Sequence, residues 1–177
     1  MTRIILIGYM GAGKTTIGRH LAEALHLDFF DLDWYVENRF QKKIPDIFAE
    51  RGEAGFREVE RRMLHEVAEF ENIVLSCGGG TPCFFDNIDY MNSVADVVYL
   101  RATPTVLQAH LAMGKSVRPL IQGKSPDELH DFIVQSLQQR SPFYEKARHT
   151  IDIDVIHTKE QIAAYVRQIA SLTQSTH

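Results

Sequence analysis

The sequence predicts a three-layer α/β fold, in which a five-stranded, mainly parallel sheet is flanked by helices. Two observations support this prediction. Short apolar runs alternate with segments of helical period, and a glycine-rich motif joins the first apolar run to the first helical segment. Strands that alternate with helices favour parallel neighbours that are covered on both faces. The 177 residues, of which 45% are hydrophobic, suffice for one domain over residues 1–177.

Five short apolar runs are predicted as strands, at residues 3–7, 27–33, 72–76, 96–100 and 150–154. Helices are predicted between them from periodicity and capping residues. In Lys14–Leu25 and in residues 52–70, apolar positions recur with the helical period. Three more helix starts are marked by caps, namely Thr103 before Pro104, Ser125 with Glu128, and Thr158 with Gln161. The polar, turn-rich residues 114–126 are interpreted as a lid or a disordered loop.

Composition argues against several classes of function. The formal net charge of −4 gives no overall attraction to nucleic acid or to an anionic membrane. Cys77 and Cys83 are the only cysteines and lack zinc-ligand spacing, so neither a disulfide scaffold nor a structural zinc site is expected. With its first motif at Gly8 and no long apolar run, the chain is expected to be cytoplasmic, without a leader peptide or membrane span.

Residues 8–15, GYMGAGKT, fit the phosphate-binding pattern G-x-x-x-x-G-K-[ST]. The motif lies between an apolar strand and an amphipathic helix, which is the context it requires. Its backbone N–H groups would bind phosphate oxygens at the N-terminus of that helix. Lys14 would reach the β- and γ-phosphates, and the Thr15 hydroxyl would bind Mg²⁺. This context disfavours the alternative, a glycine-rich turn with an incidental lysine.

Two carboxylates, Asp31 and Asp33, flank Leu32 at the predicted end of the second strand. The period of a strand places both on the same side of the sheet, at the edge where doubly wound sheets bind ligands. One carboxylate would serve Mg²⁺ through water, and the other would orient an acceptor hydroxyl for attack. Two solvated carboxylates at a strand end are the alternative.

Arg57 is followed one helical turn later by Glu60. The two residues either form an ion pair on a solvated helix face, or Glu60 holds the guanidinium in place to bind a carboxylate with two hydrogen bonds. Three consecutive glycines, residues 78–80, follow the third strand. Three successive residues without side chains suggest that something approaches the backbone closely there.

The ordered combination of segments resembles the shikimate kinase family. The matching segments are GYMGAGKTT, DLD, DIFAERGEAGFREVE, VLSCGGG, VVYL, VRPLI and RSPFY, which together cover nearly the whole chain. The resemblance implies a P-loop kinase fold with a mobile lid at about residues 112–126 and substrate-binding helices at about residues 33–62. It also implies ATP-dependent phosphorylation of the 3-hydroxyl of shikimate, a step in aromatic amino-acid biosynthesis.

The resemblance also implies roles for individual residues. ATP would be bound by Gly11, Ala12, Gly13, Lys14, Thr15, Thr16 and Arg118, and shikimate by Asp33, Arg57, Gly78, Gly79, Gly80 and Arg140. Lys14, Asp33 and Arg118 would be catalytic. One Mg²⁺ ion would be held by Thr15 and, through water, by Asp31. The expected partners are ATP and shikimate, bound by a monomer.

The nucleotide base is where the sequence departs from the family pattern. The arginine that often stacks on adenine is missing from the helix before the lid, which leaves His110, Lys115 and Arg148 as candidates for holding the base. Alternative functions are a sister kinase, such as a gluconate kinase or a nucleoside monophosphate kinase, a P-loop hydrolase, or a non-catalytic kinase-like domain.

Overall fold

The computed structural model describes residues 1–114 and 118–174. Within them, β1 (Arg3–Ile7), β2 (Asp28–Asp31), β3 (Ile73–Ser76), β4 (Asp96–Arg101) and β5 (His149–Asp152) form one sheet in the order β2-β3-β1-β4-β5. All neighbouring strands run parallel, which confirms the predicted five-stranded sheet. In β1, the successive residues from Ile4 to Ile7 are at most 1% exposed. Since successive side chains point to opposite faces, both faces of the sheet are covered.

Helices connect the strands: α1 (Lys14–Leu25), α2 (Leu32–Phe40), α3 (Ile44–Ala68), α4 (Asn87–Val94), α5 (Pro104–Met113), α6 (Pro126–Tyr144) and α7 (Lys159–Gln174). A short 3₁₀ turn spans Thr81–Cys83. The first predicted strand and first predicted helix agree with the structure at both ends. None of the described helices combines the length and apolar character that crossing a membrane requires.

The predicted capping residues begin the last three helices. Thr103 Oγ1 accepts a hydrogen bond from the Val106 N–H at 3.3 Å at the start of α5. Ser125 and Glu128 form both bonds of a capping box before α6. Before α7, Thr158 Oγ1 accepts from the Gln161 N–H at 3.2 Å, and Gln161 Oε1 accepts from the Thr158 N–H at 3.0 Å. Each pair satisfies N–H groups that a helix start leaves without a partner.

The second predicted strand is too long. It ends at Asp31, and α2 begins at Leu32, so Asp33 lies in the first turn of a helix and not on the strand. The reason is a cap, because Asp31 Oδ1 accepts a hydrogen bond from the Trp34 N–H at 3.2 Å. The side chains of Asp31 and Asp33 still line one cavity, through a strand-to-helix turn in place of a shared strand face.

The helix predicted over residues 52–70 is the second half of α3, which ends at Ala68. A kink at Gly52, with φ 69° and ψ 179°, separates it from the first half. This conformation is essentially restricted to glycine. A Cβ at Gly52 would have no heavy atom within 4 Å, so only the backbone conformation requires glycine there. The kink redirects α3 before it reaches Arg57.

Replacing Gly52 with alanine tests the kink, because the free energy of unfolding should change in opposite directions for a kinked and for a straight helix. Because alanine is strained in this conformation, we expect Gly52→Ala to lower the free energy of unfolding by about 1–3 kcal/mol. In a straight helix the same change would raise it by about 0.5–1 kcal/mol. Urea denaturation gives the sign. Ala54→Gly serves as a control for helix propensity alone, and a stabilising Gly52→Ala would contradict the kink.

Candidate active site

The carboxyl ends of β1, β2 and β3 lie side by side. Ser76 of β3 is in register with Leu6 of β1 and with Asp31 of β2. The phosphate-binding loop, the start of α2 and the glycine run therefore meet at one edge of the sheet. They line a cavity of about 780 Å³. Its lining includes Gly11, Gly13, Lys14, Thr15, Thr16, Asp31, Asp33, Gly78, Gly79, His110 and Arg118.

The phosphate-binding loop has the backbone that its glycines predict. Gly13 adopts φ 94° immediately before α1, a left-handed conformation that side chains disfavour. A Cβ at Gly8 would lie 2.7 Å from the Leu100 carbonyl oxygen, so this glycine lets the loop pass close to β4. Ala12 is buried in the core, and its N–H donates to the Tyr9 carbonyl at 3.1 Å.

Lys14 folds back over its own loop. Its Nζ donates to the carbonyl oxygens of Gly8 at 2.6 Å and Tyr9 at 3.0 Å. Burial, together with the positive charge of Arg118, lowers the pKa of Lys14 to about 8, against the opposing effect of Asp33. Lys14 is therefore mostly protonated near neutral pH and faces the cavity. An anionic phosphate there would gain a partly desolvated positive charge.

Thr15 and Asp31 offer oxygen ligands for a metal ion. Thr15 Oγ1 donates to Asp31 Oδ2 at 3.2 Å, and both residues line the cavity. Hydroxyl and carboxylate oxygens suit Mg²⁺, which keeps several of its waters. Within residues 1–114 and 118–174, no group of three or more histidine, cysteine, aspartate or glutamate side chains could hold a metal. Mg²⁺ at this position would thus need further ligands from a bound phosphate and water.

The surroundings of Asp33 disfavour the ionised form of its carboxyl group. Burial raises its pKa to about 6, and the negative charges of Asp31 and Glu60 add to the effect, whereas Lys14 opposes it. Asp33 is thus ionised near neutral pH, but it lies close to its titration range. A carboxylate of this pKa is well suited to accept a proton from a hydroxyl group.

Glu60 is 1% exposed, which excludes the predicted alternative of an ion pair on a solvated face. Its Oε1 accepts from Arg57 Nη1 at 2.9 Å, and its Oε2 accepts from Thr81 Oγ1 at 2.8 Å. The Arg57 guanidinium also lies 4.1 Å from the centre of the Phe84 ring and 5.2 Å from that of Phe56. Charge, hydrogen bonds and ring contacts together hold Arg57 in one orientation.

Each glycine of the run 78–80 leaves room for a different charged side chain. A Cβ at Gly78 would lie 3.3 Å from Asp33 Oδ1, and one at Gly79 would lie 3.0 Å from Arg140 Nη1. A Cβ at Gly80 would lie 2.7 Å from Arg57 Nη2. None of the three glycines has a positive φ, so close approach, not backbone conformation, explains the run.

Tyr144 and Phe84 are site residues that sequence reasoning missed. Tyr144 is fully buried, and its hydroxyl donates to the Gly79 carbonyl at 2.5 Å. It belongs to the segment RSPFY that also contains Arg140, which was the available signal. Phe84 covers Arg57 from the loop after the glycine run, and no sequence pattern indicates this contact.

Some of the remaining predicted residues line the cavity and others do not. Arg118 is exposed and lines the cavity. Arg140 is partly buried, with its guanidinium 5.5 Å from the centre of the Tyr9 ring. Gly79 lines the cavity, whereas Arg57, Gly80 and Arg140 do not. Trp34, which is 47% exposed, lines it beside Asp33, and the Arg19 guanidinium lies 5.0 Å from its ring.

The three candidates for holding the nucleotide base differ in position. His110 lines the cavity and is hydrogen bonded through both ring nitrogens. Lys115 lies outside the described residues. Arg148 is wrongly placed for this role, because it bonds to Asp96 at the start of β4, at the opposite edge of the parallel sheet. Burial of Asp96 explains that contact, since a buried carboxylate needs a partner.

Comparison with known proteins shows the family of the chain. The family model described as shikimate kinase matches residues 10–171. The chain belongs to the shikimate kinase family. The shikimate kinase of Phocaeicola vulgatus is 57% identical over 166 residues, which are 94% of this chain and 95% of that protein. The shikimate kinase of Bacteroides thetaiotaomicron is 52% identical, over 98% of this chain and 99% of its own length.

Solved structures of shikimate kinases share the fold. The crystal structure from Bacteroides thetaiotaomicron aligns with a TM-score of 0.95 at 51% identity, over 98% of both chains. The shikimate kinase of Acinetobacter baumannii, solved in complex with shikimate, aligns with a TM-score of 0.84 at 34% identity. That alignment covers 99% of this chain and 94% of the other. The predicted P-loop kinase fold is thereby confirmed.

The raised pKa of Asp33 predicts a gain in stability when its charge is removed. From its ordinary pKa of 3.8 up to about 6, the folded protein retains a proton that the unfolded chain has lost. Stability therefore falls as pH rises through this window. We expect Asp33→Asn to raise the free energy of unfolding by about 1–3 kcal/mol near neutral pH, with the gain vanishing below about pH 4.

Urea denaturation across this pH range measures the effect. Asp131→Asn is the matched control, because this aspartate is 79% exposed and should change stability by less than about 0.5 kcal/mol. A loss of stability in Asp33→Asn that does not depend on pH would contradict the raised pKa of Asp33.

Proposed function

We propose that the chain transfers the γ-phosphoryl group of ATP to the 3-hydroxyl of shikimate, giving shikimate 3-phosphate and ADP. The observation that carries the proposal is a single cavity that joins the phosphate-binding loop to Asp33, with Arg57 and Arg140 beside the glycine run. Membership of the shikimate kinase family supports it, as does the shikimate complex of the Acinetobacter relative.

The phosphate end of the reaction uses the loop and α1. Backbone N–H groups of Gly11, Gly13, Thr15 and Thr16 would bind phosphate oxygens at the positive end of α1. Lys14 would exchange its two carbonyl partners for phosphate oxygens, a stronger charge-assisted pair. Thr15 and Asp31 would hold Mg²⁺, directly and through water respectively. When bound, the ion supplies positive charge that neutralises the phosphate oxygens.

The acceptor end uses Asp33 and the two arginines. Asp33 would accept the hydrogen bond of the 3-hydroxyl, orient its oxygen toward the γ-phosphorus and take up its proton. Arg57 and Arg140 would bind the shikimate carboxylate, with Arg57 already aligned by Glu60. Gly78 to Gly80 would offer backbone N–H groups close to the ring. The ring thus presents its hydroxyl to Asp33 while its carboxylate is held on the opposite side.

The lid would complete the charge balance around the transferred group. Arg118 would move onto the phosphates with the proposed lid, of which residues 115–117 lie outside the described part of the chain, and the closed lid would exclude water. Shikimate then receives the phosphoryl group in place of water. We also propose a cytoplasmic monomer, and the two free cysteines are in keeping with a reducing compartment.

The choice of acceptor tests the proposed function. We expect ADP release from Mg·ATP with shikimate, but not with gluconate, AMP or no acceptor. Release with gluconate or AMP would keep the phosphoryl chemistry and overturn the acceptor assignment. ATP binding with no release from any acceptor would favour a non-catalytic protein.

The role of Asp33 is tested by the same assay. Because Asp33→Asn removes the proton acceptor, turnover should fall by about 10²–10⁴-fold. The dissociation constant of ATP, measured by calorimetry, should stay within about twofold of wild type, since Asp33 belongs to the acceptor end. Near-normal turnover would exclude Asp33 from the mechanism.

The role of Arg57 is tested by the Michaelis constant for shikimate. Arg57→Ala removes a charge-assisted contact worth about 2–3 kcal/mol, so this constant should rise by roughly 30- to 150-fold while that for ATP changes little. The variant also leaves Glu60 buried without its cation, so Arg57→Ala/Glu60→Gln should restore stability but not shikimate binding. Arg61→Ala, one turn along α3, is the matched control.

A further inference from the structure

His110 of α5 connects two segments that are distant in sequence. Its Nδ1 is 2.6 Å from the carbonyl oxygen of Gly11, in the phosphate-binding loop. Its Nε2 is 2.9 Å from the backbone nitrogen of Ile156, in the segment of residues 153–158 between β5 and α7. One side chain therefore joins the phosphate-binding loop to segment 153–158, and both the loop and this segment contribute residues to the lining of the same cavity.

These two contacts determine the protonation of the ring. A carbonyl oxygen only accepts a hydrogen bond, so Nδ1 carries the proton. The Ile156 N–H only donates, so Nε2 has none. His110 is thus the neutral Nδ1–H tautomer, and both of its nitrogens are already used by backbone. It therefore has no ring nitrogen free to read the edge of a nucleotide base.

Tight packing accompanies the hydrogen bonds. A Cβ at Gly11 would lie 3.1 Å from Leu111 Cγ and 3.3 Å from the Leu107 carbonyl oxygen, so α5 presses directly on the loop. A Cβ at Gly13 would lie 3.3 Å from Ile156 Cδ1. The loop is held between α5 and segment 153–158. The cavity is lined by His110 and by Ile156 and its neighbours His157 and Thr158.

We propose that His110 is a positioning residue for the nucleotide. By bridging Gly11 and Ile156, it sets the distance between the phosphate-binding loop and segment 153–158, to which we assign the nucleoside of ATP. ATP would contact both the loop and this segment, whereas inorganic tripolyphosphate would need only the loop. The inference rests on the proposed function in that ATP is the ligand, and it deepens that function by assigning the bridge to nucleotide affinity.

Two conservative substitutions separate the two hydrogen bonds. The amide nitrogen of asparagine takes the place of Nδ1, so His110→Asn keeps the bond to Gly11 and loses the one to Ile156. The amide oxygen of glutamine takes the place of Nε2, so His110→Gln keeps the bond to Ile156 and loses the one to Gly11. His110→Phe keeps a ring and loses both.

Calorimetric binding of ATP and of tripolyphosphate distinguishes the variants. Losing one hydrogen bond is worth roughly tenfold, so we expect His110→Asn to weaken ATP about tenfold and tripolyphosphate by less than about twofold. His110→Gln should weaken both ligands by about tenfold, and His110→Phe should weaken ATP the most. Steady-state kinetics should show a raised Michaelis constant for ATP, with kcat and the shikimate constant nearly unchanged.

The control is His130, whose side chain is 44% exposed on α6. Replacing His130 with asparagine, glutamine or phenylalanine should leave the affinities for ATP and tripolyphosphate unchanged. A lower melting temperature with unchanged ATP affinity would overturn the proposal, as would equal losses of tripolyphosphate affinity in His110→Asn and His110→Gln. The wild-type acceptor assay separates the two ideas. If wild type fails to phosphorylate shikimate, the proposed function fails, while the calorimetry still decides the role of His110.

Discussion

The arrangement of the site depends on the register of three parallel strands. Because Ser76 lies opposite both Leu6 and Asp31, the loop after β1, the cap of α2 and the glycine run begin at the same level of the sheet. No single segment holds all the chemistry. A shift of one strand would turn its end residues to the other face and separate the phosphate-binding loop from Asp33. The buried core beneath these strands is therefore a condition of function as well as of stability.

Charged side chains are grouped at the site, and each of them would lower the stability of the fold if it had no partner. Glu60 carries a raised pKa from burial, yet Arg57 and Thr81 satisfy both of its oxygens. Asp33 has no such complete set of partners among the described contacts, and it is the carboxylate to which the proposed mechanism assigns the acceptor hydroxyl. The contrast fits two different tasks in the proposed mechanism, because Glu60 holds Arg57 in place whereas Asp33 would be available to a substrate. A carboxylate with too few hydrogen-bond partners at the proposed reacting position lowers stability, as is common where activity requires an available group.

Local patterns predicted most of the elements, and long-range contacts account for what they missed. The strand 3–7, the phosphate loop and the caps at Thr103, Ser125 and Thr158 are encoded by neighbouring residues. The end of β2 was missed because alternation in LDFFDLD continues past the capping residue Asp31. His110 and Gly11 are hydrogen bonded although they lie 99 residues apart in sequence, and Tyr144 and Gly79 are hydrogen bonded across 65 residues. No short stretch of sequence contains either pair. The sequence did predict the glycine run as a point of close approach, but only the structure shows that three charged side chains fill the space.

The position of Trp34 gives the protein a built-in optical reporter. It is the only tryptophan of the chain, it is half exposed, and it lines the cavity next to Asp33 under the guanidinium of Arg19. Intrinsic tryptophan emission therefore originates from one ring at the mouth of the site, with no second indole to dilute it. Any occupant that changes the polarity or contacts of that ring changes the whole signal. Ligand binding can thus be followed by intrinsic fluorescence, without attaching a label to the chain.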